Sequence, residues 1–124
     1  MHALNGLLDL LAALRDPERG DPWHRAQDFS SIAPCTIEEA YEVADAIERQ
    51  NMGDLCAELG DLLLQVIYHA QLAGEKGLFT FADVVAALDR KLRSREAMDT
   101  PTASVQGHAR RWQQAKMQER LSGV

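Results

Sequence analysis

Apolar residues recur along this chain at helical spacing, and clusters of helix-breaking residues separate the runs. Leu4, Leu7, Leu8, Leu10, Leu11 and Leu14 predict a first helix over residues 3–14 with a broad apolar face. Asp16-Pro17 and Gly20-Asp21-Pro22 stop it, because Pro cannot continue a helix and pushes its predecessor out of the α region. Residues 16–35 then read as the longest irregular segment, carrying Trp23, Phe29 and Pro34 as tethers to the core or as cover for a pocket. A second helix is expected from Thr36 to about Gln50, with Thr36 and Glu39 in capping-box register and Ile37, Ala40, Val43, Ala44 and Ile47 on its apolar side.

The turn Asn51-Met52-Gly53 leads to a third helix, roughly residues 54–76, ended by Gly77. It is apolar nearly all round from Leu62 to Leu72, which predicts a buried central helix. Thr80 and Asp83 resemble a second capping box, opening a fourth helix through Val84, Val85, Leu88 and Leu92 to about Arg95. After a loop at Thr100-Pro101-Thr102, a polar helix is expected from about Val105 to Arg120, anchored by Trp112. No strand, repeat or low-complexity tract emerges, so the expected class is all-α, a bundle of four to five helices in one domain spanning residues 1–124.

Composition narrows the chemistry. With 124 residues and 46% hydrophobic content the chain can bury a real core. A net charge of -6 argues against a binder of nucleic acid polymers or of anionic membranes, since polyanions are held by surplus Lys and Arg. Cys35 and Cys56 form no C-x-x-C pair or disulfide framework, which suits a reducing compartment. The first residues lack a basic region and a cleavage signal, and the run from Leu7 to Leu14 is too short to span a bilayer, so a cytoplasmic location is expected.

Glu38, Glu39, Glu42, Glu58 and Asp61 fall within one stretch that also holds the second turn. With a turn centred near Asn51 and Met52, Glu42 lies about 14 Å and Glu39 about 18 Å back along one arm, and Asp61 lies about 14 Å and Glu58 about 10 Å along the other. A helical hairpin would set the two acidic stripes level. Like charges at these spacings cost a few tenths of a kcal/mol per pair, and a buried group of them needs compensation. Arg49 pairs most naturally with Asp45, so a divalent cation is one source of that compensation. A solvated acidic face, with Glu39 as capping partner of Thr36, is the other reading. Ligation by carboxylates without His or Cys suits Mg²⁺ or Mn²⁺ rather than Zn²⁺. The Glu-x-x-His motif of di-iron bundles is absent, and His69, two turns beyond Asp61, reads as a core or rim histidine.

The pattern E-E-x-x-E at Glu38-Glu39-Ala40-Tyr41-Glu42, followed after a spacer by E-x-x-D at Glu58-Leu59-Gly60-Asp61, resembles the signature of the MazG-like nucleoside triphosphate pyrophosphohydrolases. Pro22-Trp23 with Gln27, Ile32-Ala33-Pro34, Gly60-Asp61-Leu62-Leu63 with Gln65, Lys91-Leu92 with Arg95, and Trp112 with Lys116 extend the likeness from about residue 5 to 120. The resemblance implies an all-α enzyme that cleaves nucleoside or deoxynucleoside triphosphates between the α and β phosphates, giving a monophosphate and pyrophosphate. It implies Mg²⁺ on Glu39, Glu42, Glu58 and Asp61, with Glu38 positioning or deprotonating the attacking water. Lys91 and Arg95 would grip phosphate oxygens, Trp112 would pack on base or ribose, and Lys116 would meet a phosphate. It further implies a homodimer or a dimer of dimers, as does the apolar surface of residues 62–72.

The chain departs from the family pattern after Arg95, where Glu96-Ala97-Met98-Asp99 replaces an H-P-H-V-F-like segment, and around Trp23, where Asp21 stands at a frequent Cys position and His24 at a common acidic one. An alternative function is a catalytically weak or inactive module that binds nucleotides or a protein on the same helical scaffold.

Overall fold

A computed structural model of the chain describes residues 2–98 and 105–121. Among these, six helices and no strand occur: α1 (His2–Leu14), α2 (Pro22–Arg25), α3 (Phe29–Glu48), α4 (Met52–Glu75), α5 (Phe81–Met98) and α6 (Val105–Leu121). The all-α class is as expected, and the short α2 raises the helix count above the expected four to five. The chain divides into two compact units, Met1–Phe81 and Ala82–Val124. The Thr100-Pro101-Thr102 loop expected from the sequence lies outside the described residues. No helix among the described residues is long and apolar enough to cross a membrane.

The first unit is built on α4, with α3 packed along it and α1 against it. Its core is Leu11 of α1, Ile32 of α3, and Ile67, Tyr68 and Leu72 of α4, with Leu4, Leu8, Phe29 and Phe81 packed around them. Phe29 therefore tethers the segment that the sequence left irregular, whereas Trp23 stands 57% exposed. The expectation of an all-round buried α4 is corrected: Ile67, Tyr68, Ala70, Leu72 and Ala73 are buried, but Leu63, Leu64 and Val66 remain exposed. Within this unit α1 and α3 cover only part of its circumference.

Residues 15–21 form a tight turn closed on Asp16. Its carboxylate accepts hydrogen bonds from the backbone N–H groups of Arg19 and Glu18, which lower its pKa. Gly20 is required there, because a Cβ would collide with the Leu14 carbonyl and the Asp16 backbone. Asp21 caps α2 and Pro22 opens it, as Pro does at a first helical position.

The start of α3 corrects the sequence reading. Asp28 is the N-cap, its side chain accepting from the Ser31 N–H at 2.8 Å while the Ser31 hydroxyl accepts from the Asp28 N–H at 2.9 Å. This capping box begins the helix two turns before Thr36 and carries it through Pro34. Pro34 supplies no N–H to the Ser30 carbonyl, a cost offset by the cap and by burial of Ile32.

The α3–α4 turn is likewise earlier than expected. It centres on Gln50, whose φ is 57°, and Asn51 caps α4 by accepting from the Asp54 N–H at 3.0 Å. At the other end, Gly77 with φ 69° lets the Leu78 N–H reach the Ala73 carbonyl at 2.9 Å, closing α4 as the sequence predicted.

The second unit consists of α5 and α6. Arg95 and Ala115 are its buried residues among those described, and Arg95 joins the two helices by an ion pair to Glu119 at 2.7 Å.

Candidate metal centre on the α3–α4 pair

The earlier turn resets which acids face each other. Glu39 and Asp61 lie equally far in sequence from Gln50, and so do Glu42 and Glu58. Two antiparallel helices leaving that turn therefore bring Glu39 level with Asp61 and Glu42 level with Glu58. One carboxylate oxygen each from Glu39, Glu58 and Asp61 lies within 4.8 Å of the others. Glu39 and Glu58 are half-buried and Asp61 is exposed.

No cation among the described residues neutralises this group. Arg49, the nearest in sequence, is taken by Asp45 at 2.9 Å, as expected, and also by Asp54 at 3.2 Å. Glu39 Oε2 and Glu58 Oε2 are shielded from solvent and have no hydrogen-bond partner. Partial burial raises the pKa of Glu39, with further upward pressure from Glu42, Asp61 and Glu38. Contact with Glu58 raises that of Glu42, aided by burial and by Glu38. For Glu58 the contact with Glu42 is the largest influence and acts downward, but burial, Glu39 and Asp61 outweigh it and the net shift is up. Shielded carboxylate oxygens without donors are a strained arrangement for the metal-free protein, and a hard divalent cation satisfies both their charge and their lone pairs. The donor set, all carboxylate, fits Mg²⁺ or Mn²⁺.

Glu39, Glu58 and Asp61 thus form the tight group, Glu42 joins it through Glu58, and Glu38 sits exposed beside Glu42. The ambiguity over Glu39 disappears with the expected capping role of Thr36. Thr36 lies inside α3, and its Oγ1 is 2.8 Å from His69 Nε2, 3.1 Å from Gln65 Oε1 and 3.4 Å from the Ile32 carbonyl. The Thr36 hydroxyl donates to Gln65 Oε1, and its contact with His69 Nε2 is satisfied when that nitrogen carries the proton. His69 also stacks on Phe29, so it is a packing histidine rather than a ligand.

A second network, which sequence reasoning missed, holds the α1–α2 segment against α4. Arg15 donates to both oxygens of Glu75 at 3.0 and 2.6 Å and to the carbonyls of His24 at 2.5 Å and Gln27 at 2.8 Å. The Tyr68 hydroxyl lies 3.0 Å from His24 Nδ1. These contacts fix His24 on the wall of an apolar cleft of about 350 Å³, lined also by Leu7, Leu11, Leu64, Gly60 and Asp61. Arg15 and Glu75 are far apart in sequence, and no local pattern marks such a pair.

The remaining predicted site residues belong to the second unit. Lys91 borders a depression of about 260 Å³ with Ala87, Arg90, Ser94 and Glu119. Arg95 is only 8% exposed, its guanidinium lying over the Trp112 ring at 4.1 Å. Trp112 and Lys116 are half-buried on α6. The segment Glu96-Ala97-Met98-Asp99, where the chain departs from the family pattern, has side chains outside the described set.

Comparison with known proteins adds an independent line. Residues 27–98 match the model of the MazG nucleotide pyrophosphohydrolase domain. A protein of Escherichia coli strain K12 named nucleoside triphosphate pyrophosphohydrolase is 46% identical over 123 residues, covering 97% of this chain and 47% of the relative. A Thermotoga maritima protein named nucleoside triphosphate pyrophosphohydrolase/pyrophosphatase MazG is 41% identical over 117 residues, covering 92% of this chain and 44% of its own length. A Mycobacterium tuberculosis protein named nucleoside triphosphate pyrophosphohydrolase is 34% identical over 118 residues, covering 92% of this chain and 36% of its own length. The chain spans less than half the length of these curated relatives.

Proposed function

This chain belongs to the MazG nucleotide pyrophosphohydrolase family, and on that premise we propose that it hydrolyses nucleoside or deoxynucleoside triphosphates between the α and β phosphates. The products are a nucleoside monophosphate and pyrophosphate. Glu39, Glu42, Glu58 and Asp61 would hold Mg²⁺, or Mn²⁺ in its place. The observation that carries this reading is the pair of shielded, partnerless oxygens on Glu39 and Glu58 converging with Asp61.

When bound, the cation neutralises charge on the phosphates and lowers the pKa of a water it holds. The chain's own residues supply the rest. Glu38, exposed beside the cluster, accepts a proton from the attacking water. Lys91, Arg95 and Lys116 take phosphate oxygens, and Trp112 packs on base or ribose. Without a counter-charge, five acids would repel a triphosphate.

The reading includes residues 1–124 as one catalytic domain, which the family match running from the first unit into the second supports. It includes self-association as a homodimer or dimer of dimers, for which the exposed Leu63, Leu64 and Val66 of α4 provide apolar surface. The free cysteines suit a cytoplasmic setting. The test is a panel of nucleoside and deoxynucleoside triphosphates with Mg²⁺, assayed for pyrophosphate. Pyrophosphate release by the wild type but not by Glu58→Gln is expected, whereas orthophosphate release, or equal turnover by the variant, would refute the assignment. Sedimentation of a stable monomer at micromolar concentration would refute the oligomer.

A further inference from the structure

Arg95 is held in an unusual way for a surface-helix arginine. Its side chain is 8% exposed, Nη2 donates to Glu119 Oε2 at 2.7 Å, and the guanidinium carbon lies over the Trp112 ring, 4.1 Å from its centroid. Nε is buried with no partner among the described residues. An arginine kept only for helix packing gains nothing from a buried, unsatisfied N–H, which is a net cost to folding.

The arrangement has the form of a preorganised fork. Among the described residues two neighbours hold the cation: a carboxylate at one terminal nitrogen and an indole beneath the guanidinium carbon. A planar guanidinium restrained at those points has its orientation set before any ligand arrives, so less rotamer entropy is lost on binding. Glu119 itself is only 20% exposed at its side chain, and it also borders the depression lined by Arg90, Lys91 and Ser94. The carboxylate therefore sits among cations on α5 and is tied to one of them.

We propose that Glu119 is a positioning residue for Arg95: it orients the guanidinium, against Trp112 as backing, for contact with substrate phosphate. This rests on the reading of Arg95 as a phosphate-binding residue given above. Glu119 touches no reacting atom. It acts through Arg95, so its effect vanishes when Arg95 is gone.

Binding of inorganic tripolyphosphate with Mg²⁺ to the full chain, measured by calorimetry, tests this without regard to the base. Glu119→Ala is expected to weaken binding about tenfold, the scale of one charge-assisted contact. Glu119→Gln, which keeps an acceptor at the same reach, should retain most of the affinity. In an Arg95→Met background, Glu119→Ala should change nothing further. Thermal melts of each variant show whether it is folded, and the Gln variant keeps the test decisive if the Ala variant is not. Unchanged or tighter binding by a folded Glu119→Ala, with Arg95→Met still weakened, would overturn this proposal and leave the phosphate role of Arg95 standing. Unchanged binding by Arg95→Met, or no binding by the wild type, would overturn both.

Discussion

Replacing Arg15 by Met removes a charged fork while keeping an aliphatic stem, and its cost follows from what the fork touches. Arg15 is 9% exposed at its side chain, and Glu75 is 34% exposed. The bidentate pair is discounted for Glu75's contact with water to about 1 kcal/mol. The donations to the His24 and Gln27 carbonyls contribute about 1 kcal/mol each, because those acceptors lose a charged donor at a part-buried site. Arg15→Met should therefore destabilise the chain by about 3 kcal/mol, a fall in Tm of roughly 10 °C for a domain of this size. Glu75→Gln should cost only about 1 kcal/mol. Urea or thermal unfolding at fixed protein concentration, with the double variant, separates the pair from the carbonyl contacts.

The pH dependence has a definite sign. The Arg15 hydrogen bond lowers the Glu75 pKa, so this part of the stability is present at neutral pH and is lost as pH falls through the folded-state value. The gap between wild type and Arg15→Met should narrow in acid by the share of the ion pair alone. An Arg15→Met cost under about 1 kcal/mol, or a Glu75→Gln cost equal to it, would show that the carbonyl donations do not dominate.

Other consequences follow from the caps and the acid cluster. Asp28→Ala should cost about 1 kcal/mol and increase amide exchange over the first turn of α3, while Thr36→Val leaves that turn unchanged. Exchange confined to residues after Thr36 would contradict the observed helix start. The raised pKa values of Glu39, Glu42 and Glu58 mean that the metal-free folded state takes up protons more readily than the unfolded chain. Their contribution to stability is then largest at low pH and is lost as pH rises through the raised values. Metal-free Glu58→Gln should accordingly melt above the wild type at pH 8 and lose the stabilisation that Mg²⁺ gives the wild type. A lower melting temperature for the variant in chelator would count against electrostatic strain in the cluster.

Helix periodicity made much of this molecule legible. Leu4 to Leu14 marked α1, and Gly77 marked the end of α4, because both signals are local. Thr36 with Glu39 and Asp28 with Ser31 both have capping spacing, and local pattern alone does not choose between them. What decided it was tertiary: Ile32 is needed in the core, and Thr36 is needed inside the helix by Gln65 and His69. That ambiguity obscured the site as well, since a true cap at Thr36 would have competed for Glu39.

The α3–α4 turn also lies earlier than the Asn51-Met52-Gly53 signal suggests. Moving its centre to Gln50 converts an approximate levelling of acids into the pairings Glu39 with Asp61 and Glu42 with Glu58. Side-chain restraint was the least legible layer. Nothing near Arg15 in sequence announces Glu75, and nothing near Arg95 announces Glu119, because each pair is made by helices that meet only after folding.

The proposed function requires that the acids of α3 and α4 form one divalent-cation site. Calorimetric titration of Mg²⁺, or Mn²⁺ followed by electron paramagnetic resonance, into chelator-stripped wild type, Glu58→Gln and Glu48→Gln tests it most directly. Saturable binding to the wild type and to Glu48→Gln, with at least about tenfold weaker binding to Glu58→Gln, is the predicted result. Equal affinity in all three proteins, or no saturable binding to the wild type, would contradict it.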